Sequence, residues 1–336
     1  MRVAVYHNNH DVRIEERPVP AIGAGEVLLR VRSSGICGSD VMEWYRAPRA
    51  PLVLGHEVAG EIAAVGEGVR HPVGERAFAS HHVPCLECHY CRAGHETVCE
   101  TLRTTNFDPG GFSQYVRVPT INVRHGFFVL PPEISFDQGV FIEPLGCTIR
   151  GQRAAGVREG DTVLVLGSGL TGLLHVKLAA TAGTTVYASD PVAYRREAAL
   201  AAGAKEAFDA LDDIPTRIRE RNGRPADRVI VCTGSAAALQ QAFRSVDRGG
   251  SILFFAPTDP GREVPIPFNA LWHDEITLTS SYGASPRDLR ESIELLRSGK
   301  MEVASLVTHR LPLDQAAEGF RLTAEAQHSL KVILQP

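Results

Sequence analysis

The chain has 336 residues, 44% of them hydrophobic and 22% charged, a make-up that suits a globular protein too large for a single hydrophobic core. Its formal net charge of −4 offers no basic footprint for nucleic acid or for an anionic membrane surface. No apolar run approaches the ~18 residues of a membrane span, and Met1-Arg2-Val3-Ala4-Val5-Tyr6-His7-Asn8-Asn9 turns polar too soon for a signal peptide, so a cytoplasmic protein is expected.

From Arg2 to about Pro131 the pattern is one of short strands separated by Gly and Pro. Val27–Val31, Gly60–Gly66 and Ser113–Val118 are the clearest, and together they predict a β-rich, barrel-like domain. Two short motifs lie within it, Gly35-Ile36-Cys37-Gly38-Ser39-Asp40 and Gly55-His56-Glu57. Cys37, His56 and Glu57 offer a thiolate, an imidazole and a carboxylate, the three donor types that zinc accepts at a reactive site. Taken singly, each has a plainer reading, since a free Cys is often core and a His-Glu pair is common on surfaces. Their setting decides between the readings. His56-Glu57 interrupts an apolar run from Pro51 to Ile62, where two polar groups are costly to bury unpaired, and a metal would meet that cost.

Seven cysteines are an odd number, and four crowd together as Cys85-x2-Cys88-x2-Cys91-x7-Cys99. This spacing fits a closed tetrahedral zinc site in a reducing compartment better than a disulfide framework. An iron-sulfur cluster is disfavoured, because the bacterial pattern has a shorter last spacing and a following Pro, whereas Glu100 follows here. A nucleic-acid-binding ribbon is disfavoured too, since Glu96 and Glu100 offset the basic charge of the segment. Cys147 and Cys232 have small or apolar neighbours and read as packing residues. Further along, Phe141-Ile142-Glu143-Pro144-Leu145 adds another candidate carboxylate, Glu143.

From Gly160 the rhythm changes to alternating strand and helix. Strands are expected at Asp161–Leu166, Thr185–Ser189, Arg228–Cys232 and Gly250–Phe255, with a helix at 170–182, the signature of parallel βαβ units. The stretch from Asp212 to Asp227 reads as a solvated helix and loop. Between the first strand and helix lies Gly167-Ser168-Gly169-Leu170-Thr171-Gly172, a G-x-G-x-x-G in the context that a dinucleotide pyrophosphate loop requires. Asp190 ends the next strand, where a carboxylate binds the ribose hydroxyls of NAD and repels the extra phosphate of NADP; nearby Arg195 argues the other way. The tail predicts a helix at 287–298 and a closing strand at 330–334, and periodicity leaves open which domain they join.

With these motifs in this order, the sequence resembles the zinc-dependent medium-chain alcohol dehydrogenases over nearly its whole length, nearest to the sorbitol or L-iditol branch and to the threonine dehydrogenases. The resemblance implies an α/β chain in two parts. A discontinuous β-rich, barrel-like catalytic domain takes residues 1–145 and 286–336, with a zinc lobe at 81–100. A Rossmann doubly wound parallel-sheet coenzyme domain takes 146–285, and the active site is expected in the cleft between the two.

It also implies two zinc ions per chain. Cys37, His56 and Glu57 would hold the catalytic ion, with Glu143 binding it directly or through water, and Cys85, Cys88, Cys91 and Cys99 the structural ion. Ser39 would relay the alcohol's proton and Asp40 steady His56. Gly167, Gly169, Leu170, Thr171, Gly172, Asp190, Arg195, Phe255, Ala256, Pro257, Ser280, Ser281 and Tyr282 fall where relatives contact NAD. Relatives are dimers or tetramers, so a homo-oligomer is implied.

Three positions depart from the sorbitol branch: Met42-Glu43 replaces His-Tyr, and Ser281 replaces an Arg. The expected activity is interconversion of a secondary alcohol of a polyol or sugar-like substrate and its ketone, with NAD ahead of NADP. The alternative substrate is an amino-bearing alcohol (an aminocyclitol, an amino sugar or threonine), raised by the charge of Glu43. A quinone- or enoyl-reductase-like enzyme would lack the metal residues, and a non-catalytic zinc- and nucleotide-binding regulator is the reading outside enzymology.

Overall fold

The computed structural model describes residues Met1–Pro336 and divides into two compact units, Met1–Gly146 with Ala284–Pro336, and Cys147–Gly283.

The first unit is β-rich. Its seven-stranded sheet runs Val307–Pro312, Lys331–Gln335, Val27–Ile36, Glu57–Val65, Arg76–Ser80, Phe127–Val129, with Tyr115–Val118 pairing the Val27–Ile36 strand off this path. A smaller sheet sets Arg2–Asn8 between Asp11–Glu16 and Leu52–Val53. Along Val27–Ile36 the first residues alternate, Val27, Leu29 and Val31 inward and Arg30 and Arg32 outward, as a half-solvated strand should. From Ser33 to Ile36 every residue is buried. The change follows a register shift between Val31 and Ser33, a bulge that re-aims the strand just ahead of Cys37.

Two apolar cores fill this unit. Val3, Val5, Tyr6, Phe112, Phe320, Val332 and Leu334 form one, and Val27, Leu29, Val58, Ile62 and Val116 belong to the other. The tail joins this unit, because Lys331–Gln335 pairs antiparallel with Val27–Ile36 through Val332↔Ile36, Ile333↔Gly35 and Leu334↔Ser34. Helix Pro286–Arg297 starts from a capping box, in which Ser285 and Asp288 each bond the other's backbone N–H.

The second unit carries six parallel strands in the order Glu206–Asp209, Thr185–Asp190, Thr162–Leu166, Ala226–Val231, Val246–Phe254, Thr277–Ser280. Numbered within the unit this is 3-2-1-4-5-6, the Rossmann doubly wound topology expected from the sequence. The central strand Thr162–Leu166 is buried throughout, which explains why it reads as an unbroken apolar run. Helix Ile214–Asn222 lies in the stretch expected to be a solvated helix and loop, yet it buries Ile214, Pro215 and Ile218 in this unit's core. No helix of the chain is long and apolar enough to cross a membrane.

Candidate functional site

Strand register assembles the first site. Gly35 stands directly across from Glu57 in the antiparallel pairing of Val27–Ile36 with Glu57–Val65, so the chain just beyond Ile36 emerges beside His56 and Glu57. The ligand atoms of Cys37, His56 and Glu57 all lie within 4.8 Å of one another. His56 and Glu57 are buried and Cys37 is half-buried.

Asp40 is fully buried behind His56, its Oδ1 3.4 Å from His56 Nδ1 and its Oδ2 accepting from the Cys37 N–H at 3.0 Å. A carboxylate behind an imidazole fixes the ring's orientation and leaves its other nitrogen for an ion. Burial opposes charge on His56, but the Asp40 carboxylate and Cys37 outweigh it and raise its pKa well above the ordinary imidazole value. For Asp40, burial acts upward, and the His56 charge and hydrogen bond, with Arg46, bring the carboxyl below its usual range.

The decisive detail is Glu57 Oε1, buried and without a hydrogen-bond partner. An orphaned carboxylate oxygen beside a thiol and an oriented imidazole is the donor set of a metal with an open position. The cation Lys331 pairs with the other oxygen, Oε2. Glu143 stands half-buried in the first turn of helix Ile142–Ala155, outside the converging group.

Four side chains here were not singled out by sequence reasoning: Arg46, His81, His82 and Lys331. Arg46 donates from Nη2 to Ser39 Oγ at 3.3 Å and to Asp40 Oδ1 at 3.4 Å. The His81 ring lies 4.9 Å from that of His56 and 3.7 Å from that of His82, and its Nδ1 is buried without a partner. Burial, and then the charges on neighbouring His and Arg46, hold His81 well below the ordinary imidazole pKa and bring His82 down to about 4. Both therefore present neutral rings beside the triad at neutral pH. A His-His pair directly after a strand was their only signal, and Lys331 was signalled only as a charge inside an apolar closing strand.

The lobe forms a second cluster. Sγ separations are 3.6 Å for Cys85–Cys99, 3.5 Å for Cys88–Cys91 and 4.0 Å for Cys85–Cys91. A tetrahedron with Zn–S bonds of ~2.3 Å has sulfurs about 3.8 Å apart, so the four cysteines fit one ion. Backbone N–H groups of Glu87 and Cys88 point at Cys85 Sγ, and that of Cys85 at Cys99 Sγ. Burial acts upward on Cys99, but hydrogen bonds from the Cys85 and Leu102 backbone N–H groups prevail and bring it to about 6.

The third cluster is the glycine loop. Gly167 holds φ +94°, open to glycine, and turns the chain from strand Thr162–Leu166 into helix Leu170–Thr181. A Cβ on Gly172 would overlap the Gly167 carbonyl, whereas one on Gly169 would meet nothing. Gly169 caps the helix with no side-chain hydrogen bond and with open space where a Cβ would stand, so the helix start at Leu170 and Thr171 is suited to a phosphate. Asp190 is 2% exposed and accepts from the Ser168 and Val192 N–H groups, with Arg195 Nη1 3.9 Å away. Phe255, Ala256 and Pro257 follow the end of Val246–Phe254. Ser280 ends Thr277–Ser280, and Ser281 and Tyr282 come directly after it. These residues share the carboxyl edge of the parallel sheet, where such folds bind ligands. Cys232 is at that edge too, its thiol pushed up by burial and touched by Thr171, in keeping with a packing role.

Residues 23–125 match the family model of the alcohol dehydrogenase GroES-like domain, and residues 171–298 that of the zinc-binding dehydrogenases. The chain is 32% identical to the sorbitol dehydrogenase of Bacillus subtilis strain 168, over 100% of this chain and 97% of the relative. It belongs to the zinc-dependent medium-chain alcohol dehydrogenases. Two solved structures share its fold. A zinc-binding dehydrogenase from Sinorhizobium meliloti 1021, bound to NADP, has TM-score 0.90 and 28% identity, covering 100% of this chain and 99% of its own. A protein from Escherichia coli CFT073 described as a short chain alcohol dehydrogenase, complexed with NADH, has the same TM-score of 0.90, 28% identity and the same coverage of 100% and 99%. The family binds zinc and a nicotinamide coenzyme, and both clusters of this chain have the donors for the ion.

Changing Cys91 to Ser should lower zinc from two ions per chain to one and reduce the melting temperature, because binding energy at a closed thiolate site is folding energy. Metal analysis with a thermal melt checks this; two ions retained at an unchanged melting temperature would contradict it.

Proposed function

We propose that this protein is a zinc-dependent, NAD(H)-linked dehydrogenase that interconverts a secondary alcohol of a polyol or sugar-like substrate and its ketone. The observation that carries the reading is the convergence of Cys37, His56 and Glu57, with one carboxylate oxygen unpartnered, in a member of this family. When bound, zinc supplies Lewis acidity and the nicotinamide a two-electron acceptor or donor.

The chain's own residues do the rest. Cys37, His56 and Glu57 hold the ion, Glu143 supplies a further carboxylate in reserve, and Asp40 keeps His56 in orientation. Ser39 Oγ relays the proton of the alcohol, accepting it as its own hydroxyl proton passes on toward solvent, and the Arg46 guanidinium, which donates to Oγ at 3.3 Å, holds that hydroxyl in orientation. The neutral rings of His81 and His82 offer donors and acceptors to a hydroxyl-rich substrate. Glu43 is exposed and its Oε1 accepts from the Asn9 N–H at 3.0 Å, a role within the chain that sets the polyol reading ahead of an amino-bearing alcohol.

The glycine loop, Leu170, Thr171 and the carboxyl-edge residues Phe255, Ala256, Pro257, Ser280, Ser281 and Tyr282 are assigned to the coenzyme. Asp190 favours NAD over NADP because its charge repels a ribose phosphate, although Arg195 lies beside it. A cytoplasmic setting suits lobe sulfurs placed for a metal. A homodimer or homotetramer is supported by the open edge strand Thr277–Ser280, next to a segment with Phe268 and Trp272 about 70% exposed.

Three outcomes are expected. Cys37→Ala abolishes polyol-dependent NAD reduction and leaves NADH binding nearly intact; retained turnover would remove Cys37 from the site. Asp190→Ala raises the NADP/NAD ratio of kcat/KM about tenfold or more, the scale of one charge contact, and an unchanged ratio would place ribose discrimination elsewhere. Light scattering gives a mass of two or four chains, which Trp272→Asp reduces; a monomeric wild type would end the oligomer assignment.

A further inference from the structure

Lys331 is the one charged side chain in the buried stretch Lys331–Leu334, and both it and Glu57 have 0% side-chain exposure. Its Nζ donates to Glu57 Oε2 and, at 3.3 Å, to the Ile36 carbonyl. The seat is built for this pair, since a Cβ on Gly35 would overlap Glu57 Oε2 and stand 3.1 Å from Lys331 Nζ. The second oxygen, Oε1, has no partner.

Stability alone does not explain a buried cation here, because two buried charges cost desolvation that an apolar pair of similar size avoids. Its position beside a ligand of a doubly charged ion is informative. A fixed ammonium on Oε2 draws charge from the carboxylate and repels the ion, and it leaves Glu57 one oxygen to give. A carboxylate free to use both oxygens would fill two coordination positions, including one that substrate needs.

We propose that Lys331 is a positioning residue that restricts Glu57 to single-oxygen contact with the zinc ion and weakens that contact, so that the ion keeps a position open for the alcohol. This rests on the reading that Cys37, His56 and Glu57 hold zinc. The backbone of Glu57 is fixed within the sheet and its side chain is fully enclosed, so removing Lys331 frees the carboxylate without letting it swing away.

The test uses the zinc-loaded enzyme and reads the metal as well as turnover. Zinc loss into excess chelator is followed for wild type, Lys331→Met, Lys331→Gln, Glu57→Gln and the Glu57→Gln/Lys331→Met double variant, and cobalt replaces zinc at the triad for visible spectra. Lys331→Met and Lys331→Gln are expected to lose the triad zinc about tenfold more slowly than wild type, the low end of what changing a ligand's hydrogen-bond partner does to metal affinity. The cobalt bands of Lys331→Met should weaken as coordination number rises, and its kcat should fall, whereas Lys331→Gln, which removes the charge and keeps a donor, should show the slower loss with little change in the bands. Against Glu57→Gln, adding Lys331→Met should change neither rate nor spectrum. Lys331→Gln keeps a donor to Oε2, so it serves if the Met variant does not fold. Equal or faster zinc loss in the neutral variants, as a merely structural lysine would give, overturns the proposal. A wild type that holds only the lobe ion overturns the metal reading beneath it, and a cobalt band unchanged in Lys331→Met overturns the single-oxygen restriction itself.

Discussion

The antiparallel register in which Gly35 faces Glu57 on one side and Ile333 on the other is the constraint on which the first unit depends. It places Cys37 just past the end of one strand, His56 and Glu57 at the head of the next, and Lys331 at the head of a third. Strand register moves in whole residues, and a slip of one would turn Glu57 to the opposite face of the sheet. The buried Lys331–Glu57 pair reinforces this register, because leaving either charge enclosed without its partner costs about 3–5 kcal/mol. The same pair serves packing and chemistry.

The two metal clusters illustrate how donor set and surroundings divide the labour. Four sulfurs at tetrahedral separations, fed by backbone N–H groups, leave no room for a further ligand and bind a short lobe into shape. The mixed set of sulfur, nitrogen and oxygen is held on sheet strands and backed by Asp40, Arg46 and Lys331, so its geometry is rigid while one carboxylate oxygen stays without a partner. In the second unit, rigidity comes from the close approach of Gly172 to the Gly167 carbonyl, and the uncapped helix start supplies the positive end that a phosphate needs.

Much of this was legible in the sequence because the signals are local. The lobe shows in cysteine spacing, and the coenzyme loop shows in three glycines between an apolar strand and a helix. The parallel sheet shows in strands buried on both faces, such as Thr162–Leu166. Periodicity left the tail's partner undecided, because pairing between Lys331–Gln335 and Val27–Ile36 spans nearly the whole chain and leaves no local mark. For the same reason Lys331 could be seen as a misplaced charge but not matched to Glu57, 274 residues away. Arg46 and the His81–His82 pair looked like ordinary polar loop residues, and only the folding of a short helix and a strand end beside Asp40 and His56 gives them their setting. Glu43 shows the converse, a charge open to a chemical reading or to that of a solvated surface residue, which is exposed and bonded to the Asn9 backbone.

The placement of residue 331 also bears on the order of assembly. The pocket begun by Cys37 lacks its last wall until a ribosome has passed that lysine, whereas the intervening parallel unit, from Cys147 to Gly283, has all its strands in hand well before then. A nascent chain therefore carries its thiol and carboxylate before their buried counter-charge has been made, while the strands of its middle are already complete in sequence.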